Sequence, residues 1–351
     1  MRSVKSCIGI AAIILSSILL FPDILLHAQE KSEAVLYIET FTKELNTIQI
    51  EMWEYVRDAV HIKDSSATER KRKSLMKLIE KTIARVEKIE PYNGEAIYKA
   101  AVVKYLKILE IMMKEEYSKI IDMEEIAEQS YDSMEAYLLA KEKANQKFQE
   151  IIKEFNLKEK QYAVANNIIL IENESDITKK LNKADEVTDY YNTIYLIFFK
   201  SFKQELYLLD AIEKGDVGRM EQNRLVLIKF ANEGMNKLGS IKMYDKDDSI
   251  KKSCLDMLKF YKVEATEKIK VISDYYIQKD MFEKMKDAFD LKKAEERTRE
   301  DVDLYNDTVN KANEASKKAN NTIDSLNSER SNLIDEWNKN ISVFFDVHVP
   351  K

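Results

Sequence analysis

The sequence predicts an all-α protein, an elongated bundle of long antiparallel helices preceded by a signal peptide. Three observations carry this. After residue 29 the chain holds only two prolines, Pro91 and Pro350, and five glycines, the residues that most often end helices. Apolar residues recur at steps of three and four over long spans. Strand signals are nearly absent: the best β-branched run, NNIILIENE from Asn166 to Glu174, sits within a helical context.

The first 29 residues stand apart. Arg2 and Lys5 precede the uncharged apolar run CIGIAAIILSSILLF, Cys7 to Phe21, which Pro22 and Asp23 interrupt. This is the pattern of a secretory signal peptide, with cleavage after Ala28 or Gln29; retention as an anchor is the alternative. The run is shorter than the roughly 20 residues a membrane-spanning helix needs, and nothing after residue 30 is apolar enough to cross a bilayer. Cys7 stands before the apolar run, where a lipid-modified cysteine would follow it. Cys254 is then the one mature cysteine, so no intrachain disulfide forms, and stability must come from a large core. Its apolar helical surroundings suit a buried residue. Without the leader the chain has 54 basic and 61 acidic residues. The signs are interleaved with no basic stripe, which excludes nucleic acid as a partner.

The elements follow in order. Ala34, Ile38, Phe41, Leu45, Ile48, Met52, Val56 and Ala59 form one stripe of a helix over 31–62, flanked by Trp53 and Tyr55. Ser66 with Glu69 reads as a capping box opening a second helix, 67–89, with Leu75, Ile79, Ile83, Val86 and Ile89 inward. EPYNGE is the clearest turn, and a third helix covers 95–116. A fourth runs over 123–172 with a kink near Asn156. The fifth, 175–213, opens at NESD. Lys214 to Asp216 is a turn that can divide residues 30–351 into two subdomains, and Asp216 caps a sixth helix that Gly239 ends. SIKMYDKDDS is a loop, and a seventh helix covers 249–287. The last, 290–345, carries a seam of Leu304, Thr308, Ala312, Ala315, Ala319, Ile323, Leu326, Leu333, Trp337, Ile341 and Phe344, interrupted by Arg330.

Chemistry is scarce. The mature chain has two histidines, His61 and His348. Asp58 and His61 make one Asp-x-x-His where a di-iron bundle needs two Glu-x-x-His motifs, so no metal, cofactor-binding or catalytic residue is assigned. No Gly-x-Ser-x-Gly or glycine-rich phosphate loop occurs. Asp248-Ser249-Ile250 is the one loop match to the loose Asp-Ser/Thr-apolar O-glycosylation pattern. In the fourth helix Met123, Ala127, Ser130, Met134, Tyr137, Lys141, Ala144, Phe148, Ile151 and Phe155 form a heptad seam. On another face Glu124, Glu128 and Asp132 stand at i, i+4 and i+8. Like charges at that spacing repel, which makes this row the candidate interaction face, against the plainer reading of a solvated surface.

DMEEIAEQSYDSMEAYLLAKEKAN (Asp122 to Asn145) resembles a segment of a family of uncharacterised exported surface proteins of Leptospira-like spirochaetes and Bacteroidota. YIETFTKELNTIQIEMWEYVRDAVH (Tyr37 to His61) and DEWNKNISVFFDVHVP (Asp335 to Pro350) are similar to the ends of that family. The resemblance implies a helical fold and a periplasmic or surface address, and it brings no catalytic residues.

The expected function is accordingly non-enzymatic: an exported periplasmic or cell-surface protein with an interaction or envelope-structural role. Its partner is a protein or a second copy meeting its helical seams. The alternative is a helical protein binding a small ligand or cation, which requires an apolar pocket with converging polar groups. A carboxylate-based enzyme requires buried, coupled carboxylates in such a pocket. An interaction protein shows an exposed apolar patch instead.

Overall fold

The computed structural model of the chain describes residues 32–61, 65–170 and 175–351; for 65–66, 115–129, 137, 140–141 and 144–145 only the backbone is described. The expected signal peptide, residues 1–29, lies outside the described residues. The regular elements described are helical: α1 Glu33–His61, α2 Ser65–Glu87, α3 Ile97–Gln129, α4 Tyr131–Ala165, α5 Asp176–Glu213, α6 Val217–Ser240, α7 Ser249–Val263, α8 Ile269–Asp290 and α9 Arg299–His348. The all-α class holds. None of these helices is long and apolar enough to cross a membrane.

The chain forms two compact units, Met1–Asn192 with Ser342–Lys351, and Thr193–Ile341. The divisions fall inside α5 and α9. They do not fall at the Lys214–Asp216 turn, which joins α5 to α6 within the second unit.

In the first unit α1 packs on α2, α2 on α3, and α3 on α4. All eight residues of the α1 stripe are buried, together with Trp53 and Tyr55. They meet Leu75, Ile79, Ile83 and Val86 of α2 at the core. Ile89 falls beyond the end of α2 and is only half-buried. In the EPYNGE turn Asn93 and Gly94 take positive φ. Lys99 Nζ donates to the carbonyls of Glu87 and Ile89, at 2.7 and 2.6 Å, which satisfies acceptors that the end of α2 leaves open.

The expected fourth helix over 123–172 is not continuous: its start belongs to α3 and Tyr131–Ala165 to α4. The chain breaks at Ser130, which is extended at φ −162° and ψ 165°, and its hydroxyl accepts from Ser133 N–H at 3.1 Å. Serine has the short acceptor that suits an N-cap, and it turns one sequence pattern into the end of α3 and the start of α4. No kink falls at Asn156, which lies inside α4. Beyond the break Met134, Phe148 and Phe155 are buried as the seam requires, with Ile152 rather than Ile151 between the last two.

In the second unit α6 packs on α7 and α8. Asp216 caps α6 by accepting from Arg219 N–H at 2.9 Å. Gly239 does not end that helix, which continues to Ser240. The glycine that matters is Gly234, where an added Cβ would stand 2.9 Å from Leu258 Cδ1 and 3.1 Å from Ile197 Cγ2. The expected seventh helix is α7 and α8 joined by a π-helical turn, Glu264–Lys268. There the Ile269 N–H reaches back five residues to the Glu264 carbonyl. The last helix begins at Arg299, nine residues later than its pattern suggests. Its alanines Ala315 and Ala319 are buried, and Trp337 stacks on Phe198 at 4.7 Å.

Candidate functional site

The break at Ser130 separates the expected acidic row. Glu124 and Glu128 belong to the last turns of α3, and their side chains lie outside the described residues. Asp132 is in the first turn of α4, exposed, where its charge favours the positive end of the helix. The three do not share one continuous helix face.

Asp58 and His61 point to different partners. Asp58 is buried and receives Lys71 Nζ at 2.7 Å and Arg57 Nη2 at 3.0 Å. Burial alone would raise its carboxyl, but these two cations outweigh that and hold it below the usual range. His61 instead meets the end of the chain, with Nδ1 2.8 Å from Asp346 Oδ1 and Nε2 3.2 Å from the Pro350 carbonyl. Among the described residues no group of three or more metal-ligating side chains converges. Cys254 is fully buried, and burial pushes its thiol up, which places it out of reach of crosslinking reagents. The Ser249 hydroxyl is buried as well, so this loop does not present it for glycosylation.

Arg330, the residue that interrupts the α9 seam, organises the polar centre of the second unit. Its Nε donates to Glu205 Oε1 of α5 at 2.5 Å and its Nη2 to Glu264 Oε1 at 2.5 Å. Nη1 reaches Asn327 Oδ1 at 2.7 Å, and the guanidinium lies 5.6 Å from the Phe260 ring centroid. Both glutamates are fully buried, and the arginine side chain is 12 % exposed. Burial raises both carboxyls against the pull of Arg330, and the charge of Glu205 drives Glu264 further up. Glu264 is the first residue of the π turn, a departure from α geometry that often marks a functional site. The arrangement clamps three helical segments. Both of its carboxyls are closed off from solvent.

A second buried carboxyl lies in the first unit. Glu159 of α4 is 3 % exposed and accepts from Tyr98 O–H at 3.3 Å. Tyr37, Phe41, Tyr98, Phe155 and Tyr162 form a chain of ring contacts around Tyr98. Burial there pushes the Glu159 carboxyl up to about 7, against the hydrogen bond from Tyr98 and the charge of Lys160.

Two surface features remain. A shallow groove of about 530 Å³ runs along α3, floored by Pro91, Ala96, Ala100, Val103 and Ile108 and edged by lysines. The lysines are already engaged: Lys99 with the two carbonyls, Lys104 with Glu154 at 2.6 Å and Lys107 with Glu87 at 2.7 Å. The other feature is an arm built from the end of α8 and the start of α9. Between Ile272 and Thr308 no residue is buried. Phe289 and Phe282 pack on Tyr305, at 4.6 and 6.2 Å, and Arg297 covers Phe289 at 4.2 Å. Ile277, Met281, Leu291, Val302 and Leu304 stay exposed, Leu291 by 87 %. The sequence reading placed Leu304 in the seam and missed the arm. Its one signal was the loss of a single apolar stripe after Ile272.

No protein-family model matches the chain, and no curated protein and no solved structure matches it either.

Proposed function

We propose that the protein is an exported helical protein of the periplasm or cell surface with a non-enzymatic interaction or envelope-structural role, and that the α8–α9 arm is its contact surface. The observation that carries the reading is the exposure of Ile277, Met281, Leu291, Val302 and Leu304 on one two-helix arm with no buried residue between Ile272 and Thr308. Apolar side chains concentrated in this way mark contact surfaces more often than scattered single ones do. Export rests on the leader pattern of residues 1–29 and on the resemblance to exported surface proteins. The closed state of the Arg330 cluster and the prior engagement of the groove lysines favour this reading over a carboxylate enzyme and over a protein that holds a small ligand in that groove.

Methionine oxidation tests it. Met281 is 51 % exposed and should oxidise readily in the purified mature chain. In intact envelopes of the native cell it should oxidise several-fold more slowly. Equal rates would sink the contact surface, and recovery of the chain with its leader in the cytoplasm would sink the export.

A further inference from the structure

The Arg330 cluster carries one positive charge and two carboxyls, and its geometry leaves a donor missing. Glu205 Oε1 and Glu264 Oε1 each take one arm of the same guanidinium fork. Their other oxygens, Glu205 Oε2 and Glu264 Oε2, are buried and take no donor from the guanidinium; Glu205 is instead within hydrogen-bond reach of the Tyr261 hydroxyl and of Glu264 itself. An ionised carboxylate can only accept, so two ionised glutamates would face each other acceptor to acceptor and leave a net negative charge in a dry core. Such a charge is costly enough that buried groups neutralise instead.

The surrounding groups do not supply the missing charge. From α7 come Tyr261 and the Cys254 thiol, both fully buried and uncharged. From α6 comes Arg224, whose Nη1 donates to the Ala265 carbonyl at 3.2 Å, but its charge is taken by Glu221, with Nε 2.7 Å from Oε2. From α9, Asn327 is neutral and holds Arg330 itself.

We propose that Glu205 and Glu264 form a buried proton-binding site, holding one proton between them from neutral pH to pH 9 with Glu264 as the acid and Glu205 as the carboxylate. The proton brings the cluster to neutrality and turns one acceptor into a donor. The directions of the two carboxyl shifts, stronger for Glu264, agree with that assignment. The site is independent of the arm and of any partner.

Infrared spectroscopy of the mature chain at pH 9 tests it. Glu159→Gln serves as background, because among the described residues Glu159 is the other buried carboxyl raised toward neutrality. The carbonyl stretch of a protonated carboxylic acid should persist at pH 9 in this variant and disappear when Glu264→Gln is added. Absence of the band in the background variant overturns the proposal; dependence of stability on added sodium or potassium would then indicate a bound cation in place of the proton. A band that survives Glu264→Gln overturns the assignment to this pair. If the double variant does not fold, Glu159→Gln with Glu205→Gln replaces it. There the lone Glu264 faces Arg330 without a second carboxylate, and the band should be lost at pH 9; a retained band overturns the sharing.

Discussion

Replacing Glu159 with glutamine should remove most of the alkaline instability of the first unit. The side chain is 3 % exposed, its Oε1 accepts from Tyr98 O–H, and its Oε2 has no donor. Its carboxyl titrates near 7 in the folded chain against an ordinary 4.5. The folded state therefore binds the proton more tightly than the unfolded chain. Its contribution is fully present below pH 4.5 and is lost as pH rises through 7. At about 1.4 kcal/mol per pK unit, the loss approaches roughly 3 kcal/mol by pH 8. Glutamine keeps the acceptor for Tyr98 and cannot ionise. Its buried amide N–H₂ imposes a cost of its own, about 1–3 kcal/mol if left unpaired, but that cost is the same at every pH. The quantity to measure is therefore the change in the wild-type-minus-variant difference between pH 5 and pH 8. Urea unfolding supplies it, followed by Trp53 fluorescence in a Trp337→Phe background so that only the first unit reports. Glu159→Gln should gain about 2.5 kcal/mol on wild type between the two pH values, since about 0.8 kcal/mol is already lost at pH 5. Parallel stability curves across that range would refute the burial argument.

Other perturbations act on separate features. Arg330→Met leaves Glu205 and Glu264 without their cation, and it should cost about 3–5 kcal/mol, the range for breaking a buried ion pair; an unchanged urea midpoint by Trp337 fluorescence would show that the clamp is not stabilising. Gly234→Ala pushes a methyl to 2.9 Å from Leu258 Cδ1, and overpacking of that kind should cost roughly 1–3 kcal/mol, read as a lowered melting temperature. Ser130→Ala removes the acceptor from the start of α4, at a cost of about 0.5–2 kcal/mol. Hydrogen exchange should then quicken at the Ser133 amide, and unaltered exchange there would mean that the cap contributes little.

Much of the fold was legible because helical periodicity and core burial are the same fact seen twice. The α1 stripe from Ala34 to Ala59 is buried at every position. The caps at Asp216 and Ser175, whose hydroxyl accepts from Thr178 N–H at 3.0 Å, stand where short acceptors precede apolar repeats. The break at Ser130 was not legible, because serine fits a heptad seam as readily as a cap. The π turn was hidden for a related reason: Tyr261, Glu264 and Ala265 stay close enough to helical spacing to pass for one helix. Arg330 was visible as an interruption, but its meaning lay in partners 66 and 125 residues away. Pairings that distant leave no local periodic trace. The acidic row was read as one face only because the helix was read as one helix.

The first unit also takes part of its core from the last ten residues. Phe344, Phe345 and Val349 are buried there, Phe344 and Phe345 against Tyr190 and Tyr191, and the tail is held at His61. Synthesis runs from the N-terminus, so α1 to α4 leave the ribosome long before the residues that complete their unit. During that interval the unit presents an unfinished apolar surface to whatever accompanies the nascent chain. A stop codon before residue 342 would leave that unit without Phe344, Phe345 and Val349 in its core.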